Sequence, residues 1–276
     1  MKICFGALAR FMNQISLDKP LARGRTADVY EWNDRHVLKL FQNWFELENI
    51  EYEQKIARAV HTSGVEAPVV GELIQVEGRH GLIYERVIGE SMEAMFLRKP
   101  WRVFTYARIL AQLHAQMHEK IFDTTIPSQK KRLQYKINQA DALPEFLKIK
   151  LLNALESVSE GNRVCHGDFH PANLLLSGNG ATIIDWIDAT RGNPLADVAR
   201  TSVIALGVAA SIQIRNRFLK ALAKSFHSAY LKHYFALRPG GKDEYRRWLP
   251  IVAGARLSEN IPELEKWLVD QAGKIM

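Results

Sequence analysis

Two carboxylates and one amide stand out by their spacing. Asp168 and Asn173 share the stretch H-G-D-F-H-P-A-N-L-L-L at residues 166–176. An apolar run, Thr182-Ile183-Ile184, then ends in Asp185 and Trp186. Moving a phosphoryl group onto a hydroxyl makes two demands. A carboxylate must sit beside the acceptor O–H, and oxygen ligands must hold the divalent cation that offsets charge on the phosphates. The pattern D-x-x-x-x-N meets both demands on one loop. Asp168 is placed to orient and deprotonate an acceptor, and the amide oxygen of Asn173 to bind Mg²⁺. Asp185, one hairpin later, supplies a second metal-binding carboxylate. A chance H-G-D-x-x-x-x-N in a chain of this length is on the order of one in a thousand.

Such groups need a scaffold, and the pattern of apolar residues outlines one. Residues 27–32, 37–41, 69–76 and 82–86 are short runs with β-branched and aromatic side chains. Turn material at 23–25, 33–34 and 77–78 separates them. Between the second and third runs, 46–63 sets Ile50, Ile56, Ala59 and Val60 at helical spacing, with Gly64 as the stop. After Gly89 the period changes. Residues 101–118 align Val103, Ala107, Leu110, His114 and Met117 on one helical stripe. Residues 121–160 read as one or two polar helices, with Gln129-Lys130-Lys131-Arg132 as a solvated face. Short strands are expected at 164–165, 174–176 and 181–184, and helices from about Pro194 onward. The expected class is α+β: a small β-rich lobe at 1–88, then a larger, mostly helical lobe at 89–276. Residues 84–89 form a short hinge between them.

These residues resemble the aminoglycoside phosphotransferase and choline kinase superfamily, relatives of the protein kinases, over nearly the whole chain. H-G-D-F-H-P-A-N-L-L and I-I-D-W are similar to that family's catalytic loop and metal-binding segment. In protein kinases the matching pieces read H-R-D-x-x-x-x-N and D-F-G. Gly167 and Trp186 set this chain with the small-molecule kinases. The resemblance implies a protein-kinase-like bilobal fold, with Mg²⁺, ATP (GTP is possible) and a small-molecule hydroxyl as acceptor. It also implies further site residues. Lys39 looks like the strand lysine on the α- and β-phosphates. Glu53 looks like its helix partner, with Glu51 as the other register. Glu85 and Val87 fall in the hinge, where backbone groups would bind the adenine edge. Residues 23–30 stand where a Gly-rich loop belongs but hold one glycine and no G-x-G-x-x-G. Backbone amides near Arg25 and Thr26, with the Thr26 hydroxyl, are the candidate phosphate contacts there. Residues 185–189 and 192–200 look like the family's D-W-x-x-A and G-x-P-x-x-D-x-A-R stretches. Pro194 suits a first helical turn, and Asp197 beside it would brace the catalytic-loop backbone. Asp188 is open to either a metal or substrate role or a structural hydrogen bond.

Composition bounds the remaining possibilities. A 47% hydrophobic and 24% charged chain is that of an ordinary soluble domain. The net charge of +7 suits phosphate-bearing ligands. It disfavours a polycationic aminoglycoside as acceptor and favours a neutral or anionic one. Glu259, Glu263, Glu265 and Asp270 could still form a local acidic wall. Cys4 and Cys165 make no metal or C-x-x-C spacing, which suits a reducing, cytoplasmic setting. The opening residues lack a signal-peptide pattern, and the uncharged run 201–214 is too short to span a bilayer. No nucleic-acid or membrane partner is indicated, and no Walker motif is present. Two alternatives remain. A Ser/Thr protein kinase is disfavoured by the short interval from Asp185 to Pro194 and the lack of an A-P-E-like element. A nucleotide-binding pseudokinase scaffold is disfavoured because Lys39, Asp168, Asn173 and Asp185 are all present. His166 is read as structural, since Asp168 already serves as base. His170 could reach the substrate mouth or pack under Pro171. His114 and His118 read as core residues whose spacing would suit zinc, with no third ligand evident.

Overall fold

The computed structural model describes residues 17, 19–122, 126–178, 180–211, 213 and 216–275. Cys4 and the opening segment 1–16 lie outside the described residues. The N-terminal region is an antiparallel sheet of β1 (Ala22–Arg23), β2 (Ala27–Asn33), β3 (His36–Phe41), β4 (Val70–Val76) and β5 (Arg79–Glu85), in the order β1-β2-β3-β5-β4. One helix, α1 (Leu47–Thr62), crosses it.

Strand periodicity decides what each side of this sheet carries. In His36–Phe41, Leu38 and Leu40 are fully buried and pack with Tyr30 and Val76 on one face. Lys39 and Phe41 alternate to the other face. There Phe41 joins Leu82 and the α1 residues Ile50 and Ala57 in a second apolar cluster. On α1 the buried positions are Ile50, Glu53, Ile56, Ala57 and Val60, spaced three or four apart. Glu53 therefore sits on the apolar stripe, directed at the face that carries Lys39. Glu51, the alternative register, is exposed.

The chain leaves β5 and pairs β6 (Glu90–Ser91) with β8 (Leu174–Ser177), which pairs in turn with β9 (Gly180–Ile183). Then come helices: α2 (Met92–Arg98), α3 (Val103–Met117), α4 (Gln129–Asn138), α5 (Glu145–Ser157), α6 (Pro194–Ala210), α7 (Arg217–Leu237), α8 (Lys242–Arg256) and α9 (Pro262–Ala272). A short ribbon of β7 (Arg163–Cys165) and β10 (Thr190–Gly192) lies between α5 and α6. Leu110, Tyr230, Trp248 and Ile251 are buried at the centre of the helical core. No helix among the described residues is long and apolar enough to cross a membrane.

The expected plan of a β-sheet region followed by a helical region holds. The short elements β1, β6, β10 and α2 carry no clear period in sequence, because two to seven residues are too few to show one. β5 starts at Arg79 rather than at 82, because Arg79, His80 and Gly81 continue the pairing with β4. A bulky side chain at Gly81 would meet Leu38 on β3, so glycine keeps those strands close.

Leu110 is fully enclosed by the helical core. We expect Leu110→Ala to cost about 2–5 kcal/mol in urea unfolding with an unchanged m value.

Candidate active site

The loop that carries Asp168 and Asn173 is held by one buried carboxylate. Asp197 stands in the first turn of α6 and is 1% exposed. Its Oδ2 accepts from the His166 amide at 2.7 Å, and its Oδ1 from the Gly167 amide at 2.8 Å. The Nε2 atoms of His114 and His118 complete the shell at 3.1 and 3.3 Å. Their Nδ1 atoms face the hydroxyls of Tyr230 and Tyr234 at 2.7 and 2.8 Å. Burial pushes the Asp197 carboxyl up, but its bonds to the two histidines hold it well below the usual range. His114, His118 and Asp197 do lie close enough to share a metal ion. Every ligand atom of that trio is already spent on a protein hydrogen bond, so the histidines are satisfied core residues.

Gly167 takes a left-handed φ of 79°, and a Cβ there would collide with the Asp188 backbone carbonyl. Only glycine fits this turn. His166 is fixed as well. Its Nδ1 accepts from the Asp168 amide at 3.2 Å, so its Nε2 donates to the Ile184 carbonyl at 3.0 Å. Both ring nitrogens are occupied, which leaves no base function for His166.

Asp168 is thereby aimed outward. Its Oδ1 lies 3.2 Å from Arg200 Nη2, and its Oδ2 lies 3.2 Å from His170 Nε2. Burial raises its pKa, but the His170 hydrogen bond and the Arg200 charge outweigh burial and leave the carboxyl well below its ordinary value. Asn173 donates its Nδ2 to the Asp168 carbonyl at 2.9 Å. Its Oδ1 makes no bond among the described residues. The Asn173 carbonyl also accepts from the Ile184 amide at 3.0 Å, which fixes the position of Asp185 next in the chain. Asp185 has a positive φ of 63° and a side chain 45% exposed.

Lys39 bridges the two regions. Its Nζ lies 2.7 Å from Glu53 Oε1 and 3.2 Å from Asp185 Oδ1. Burial pulls the ammonium down, but Glu53 and Asp185 outweigh it and hold its pKa above the ordinary lysine value. Tyr84 on β5 also donates to Glu53, at 2.9 Å.

The remaining sequence candidates are placed less tightly. Arg25 and Thr26 lie in the β1–β2 turn, just past the end of the β2–β3 pairing. Their side chains make no hydrogen bond or ion pair among the described residues. Beyond β5, the Glu85 amide is spent on Val69 O and the Arg86 amide on Arg35 O. Val87 keeps both backbone polar groups unbonded among the described residues. Asp188 is a structural partner, with Arg132 Nη2 at 2.6 Å and Lys136 Nζ at 3.1 Å. The reading of 129–132 as a solvated face is corrected on two positions. Gln129 is buried and accepts from the Asn193 amide, while Arg132 turns in to Asp188. Of the four acids considered for a wall, Glu259 reaches the site, where it pairs with Arg200 at 2.6 Å. Arg200 and Tyr84 are the contributors to which the sequence assigned no role, and His170, left open between the substrate mouth and packing under Pro171, turns to Asp168. Arg200 closes the G-x-P-x-x-D-x-A-R stretch, and that was its only signal.

The family pattern of the phosphotransferase enzyme family matches residues 18–239. The chain belongs to that family. No curated protein matches this phosphotransferase by sequence. Among solved structures it is similar to a thermostable mutant of the aminoglycoside phosphotransferase APH(4)-Ia, at 14% identity and TM-score 0.62 over 97% of this chain and 96% of that one. The amicoumacin kinase hAmiN, solved with AMP-PNP, Ca²⁺ and Ami, gives 15% identity and TM-score 0.63 over 98% and 91%. A choline/ethanolamine kinase family protein from Mesorhizobium loti gives 16% and 0.57 over 96% and 91%. At these identities the likeness establishes the fold of the phosphotransferase.

The buried brace predicts a pH response. Burial lowers the His118 imidazole from 6.5 to about 3 in the folded chain. The unfolded chain therefore binds the extra proton first, and stability present above pH 6.5 is lost as pH falls toward 3. We expect His118 alone to remove about 2 kcal/mol between pH 6.5 and 5 in urea titrations. The His118→Gln protein should show a flatter profile, and a flat wild-type profile would contradict the neutral, buried assignment. Gly167→Ala should lower the melting temperature and turnover together, because the Asp188 backbone has to move.

Proposed function

We propose that this phosphotransferase moves the γ-phosphate of ATP, or of GTP, onto a hydroxyl of a small molecule. One observation carries the reading: Lys39, Asp168, Asn173 and Asp185 converge from three separate stretches onto one site, through the Lys39–Asp185 contact of 3.2 Å and the Asn173–Asp168 bond of 2.9 Å. The nucleotide assignment draws support from the AMP-PNP complex of the similar amicoumacin kinase.

Each residue then has a task. Residues 1–88 act as the nucleotide-binding domain and 89–276 as the catalytic and acceptor domain. Val87, whose N–H and C=O are unbonded among the described residues, and Glu85 nearby receive the adenine edge. Arg25 and Thr26 cover the phosphates from the β1–β2 turn. Lys39, oriented by Glu53, contacts the α- and β-phosphates. The free Oδ1 of Asn173 and the Asp185 carboxylate are hard oxygen donors that fit Mg²⁺. When bound, that ion offsets charge on the phosphate oxygens.

Asp168 stays ionised at neutral pH and accepts a hydrogen bond from the acceptor O–H. So acidic a carboxylate is a weak base. It serves first to orient the hydroxyl and takes the proton late, in keeping with a loose phosphoryl-transfer transition state. The acceptor oxygen bonds to the γ-phosphorus, the bond to the β–γ bridging oxygen breaks, and the nucleoside diphosphate leaves. A protein substrate is disfavoured, because only residues 186–189 separate Asp185 from β10. The buried thiol of Cys165 is compatible with a cytoplasmic location.

The test is consumption of γ-phosphate from Mg-ATP against pooled alcohols, sugars and aminoglycosides, with Lys39→Ala alongside. We expect turnover with one pool, sensitive to EDTA. Lys39→Ala should cut kcat/KM at least tenfold and destabilise the fold by about 1–3 kcal/mol, because Glu53 is left buried with only Tyr84. Unchanged kinetics in that variant would remove Lys39 from the phosphate site.

A further inference from the structure

Beside Asp168 lies a small cavity in which cations outnumber the carboxylates that face them. It is lined by Gly167, Arg200 and side chains from α4, α8 and the turn after α8, with about 40 Å³ of free volume. On that measure one water needs ~10–15 Å³, so the space admits about three heavy atoms. Two lining carboxylates serve four cations, and Asp168, just outside the lining, also takes Arg200 at 3.2 Å. Asp188 holds Arg132 at 2.6 Å and Lys136 at 3.1 Å. Glu259 holds Arg200 at 2.6 Å, Arg256 at 3.5 Å and Lys136 at 3.8 Å. A third lining carboxylate, Asp197, is spent on the His166 and Gly167 amides and two histidines.

The cations are left short of partners. Among the described residues Arg132 Nε, Arg256 Nε and Arg256 Nη1 are buried donors without a hydrogen bond, against one such acceptor in the cluster, Glu259 Oε1, which keeps its ion pair with Arg200. Burial and then the Arg200 charge lower the Arg256 guanidinium to about 10, with Glu259 opposing only in part. An ammonium group entering here would find both facing carboxylates already shared. An anionic group would meet surplus positive charge and idle N–H donors, and planar guanidinium forks match a carboxylate. Three heavy atoms is the size of a carboxylate group.

Resting on the kinase reading above, we propose that the acceptor is a hydroxy carboxylate, with its hydroxyl against Asp168 and its carboxylate in this cavity among Arg132, Lys136, Arg200 and Arg256. The hydroxyl oxygen forms the new bond to the γ-phosphorus and ADP leaves with the bridging oxygen. The hydroxyl proton passes to Asp168, and the carboxylate stays unchanged. Arg200 touches both Asp168 and this cluster, so it links acceptor seating to the orientation of the catalytic carboxylate.

The experiment compares matched acceptors: glycerate, lactate, malate and gluconate, each against its amide, with kanamycin as the polycationic probe. Steady-state γ-phosphate transfer is measured, and Mg-ATP binding is followed separately by calorimetry. We expect at least one acid to exceed its amide at least tenfold in kcat/KM. Lys136→Gln and Arg256→Gln should each narrow that ratio at least tenfold, mainly through KM, with Arg256→Lys keeping part of it. Lys136 lies at the more open edge of the cluster, so its variant serves if Arg256→Gln fails to fold. Amides or kanamycin used as well as the acids would overturn the proposal, as would an acid-to-amide ratio unmoved by both variants. Mg-ATP binding with no transfer to any acid would overturn it while leaving nucleotide use intact. Absence of Mg-ATP binding would overturn the kinase reading itself.

Discussion

One buried carboxylate sets the geometry of the loop that carries Asp168 and Asn173. Asp197 has lost its water, and in exchange it takes two backbone amides and two imidazoles. The four bonds join three elements: α3 and its C-cap through His114 and His118, α6 through Asp197 itself, and the loop after β7 through the amides of residues 166 and 167. A buried charge is tolerated only when its bonds are met, so these elements cannot drift independently. Asp168 and Asn173 inherit their positions from that arrangement. The left-handed turn at Gly167 lets the loop pass against the Asp188 backbone.

A second polar link crosses between the sheet and the helical region. Lys39 sits between two carboxylates from distant parts of the chain, Glu53 on α1 and Asp185 after β9. Its orientation follows from strand alternation, and the position of Glu53 follows from helical spacing. Two local periodicities thus bring together charges that no local rule pairs. Asp185 is the more exposed partner, so its bond to Lys39 is the more open of the two to solvent.

The residues that meet at the candidate site were mostly legible in the sequence, because they are concentrated in short motifs. The spacing of Asp168 and Asn173 and the apolar strand before Asp185 were readable directly. Glu53 could be chosen over Glu51 only by burial, which the register of α1 decides. The charged cluster beside Asp168 was mostly illegible for a physical reason. Arg132, Lys136, Arg256 and Glu259 come from α4, α8 and the turn after it, and their pairing depends on how those helices pack. Within its own segment Arg132 looks like one more charge on a polar helix. His114 and His118 likewise waited for Asp197 to arrive from another helix before their role was defined.

The central claim is that Asp168 is the carboxylate at which the acceptor hydroxyl is activated. It is tested most directly by following Mg-ATP binding and γ-phosphate transfer in Asp168→Asn beside the wild type. The asparagine keeps the size and one acceptor oxygen, so Mg-ATP binding should stay within a few-fold while transfer falls by about 10²–10⁴-fold. Transfer that survives the substitution at full rate would contradict the assignment and move the chemistry elsewhere in the chain.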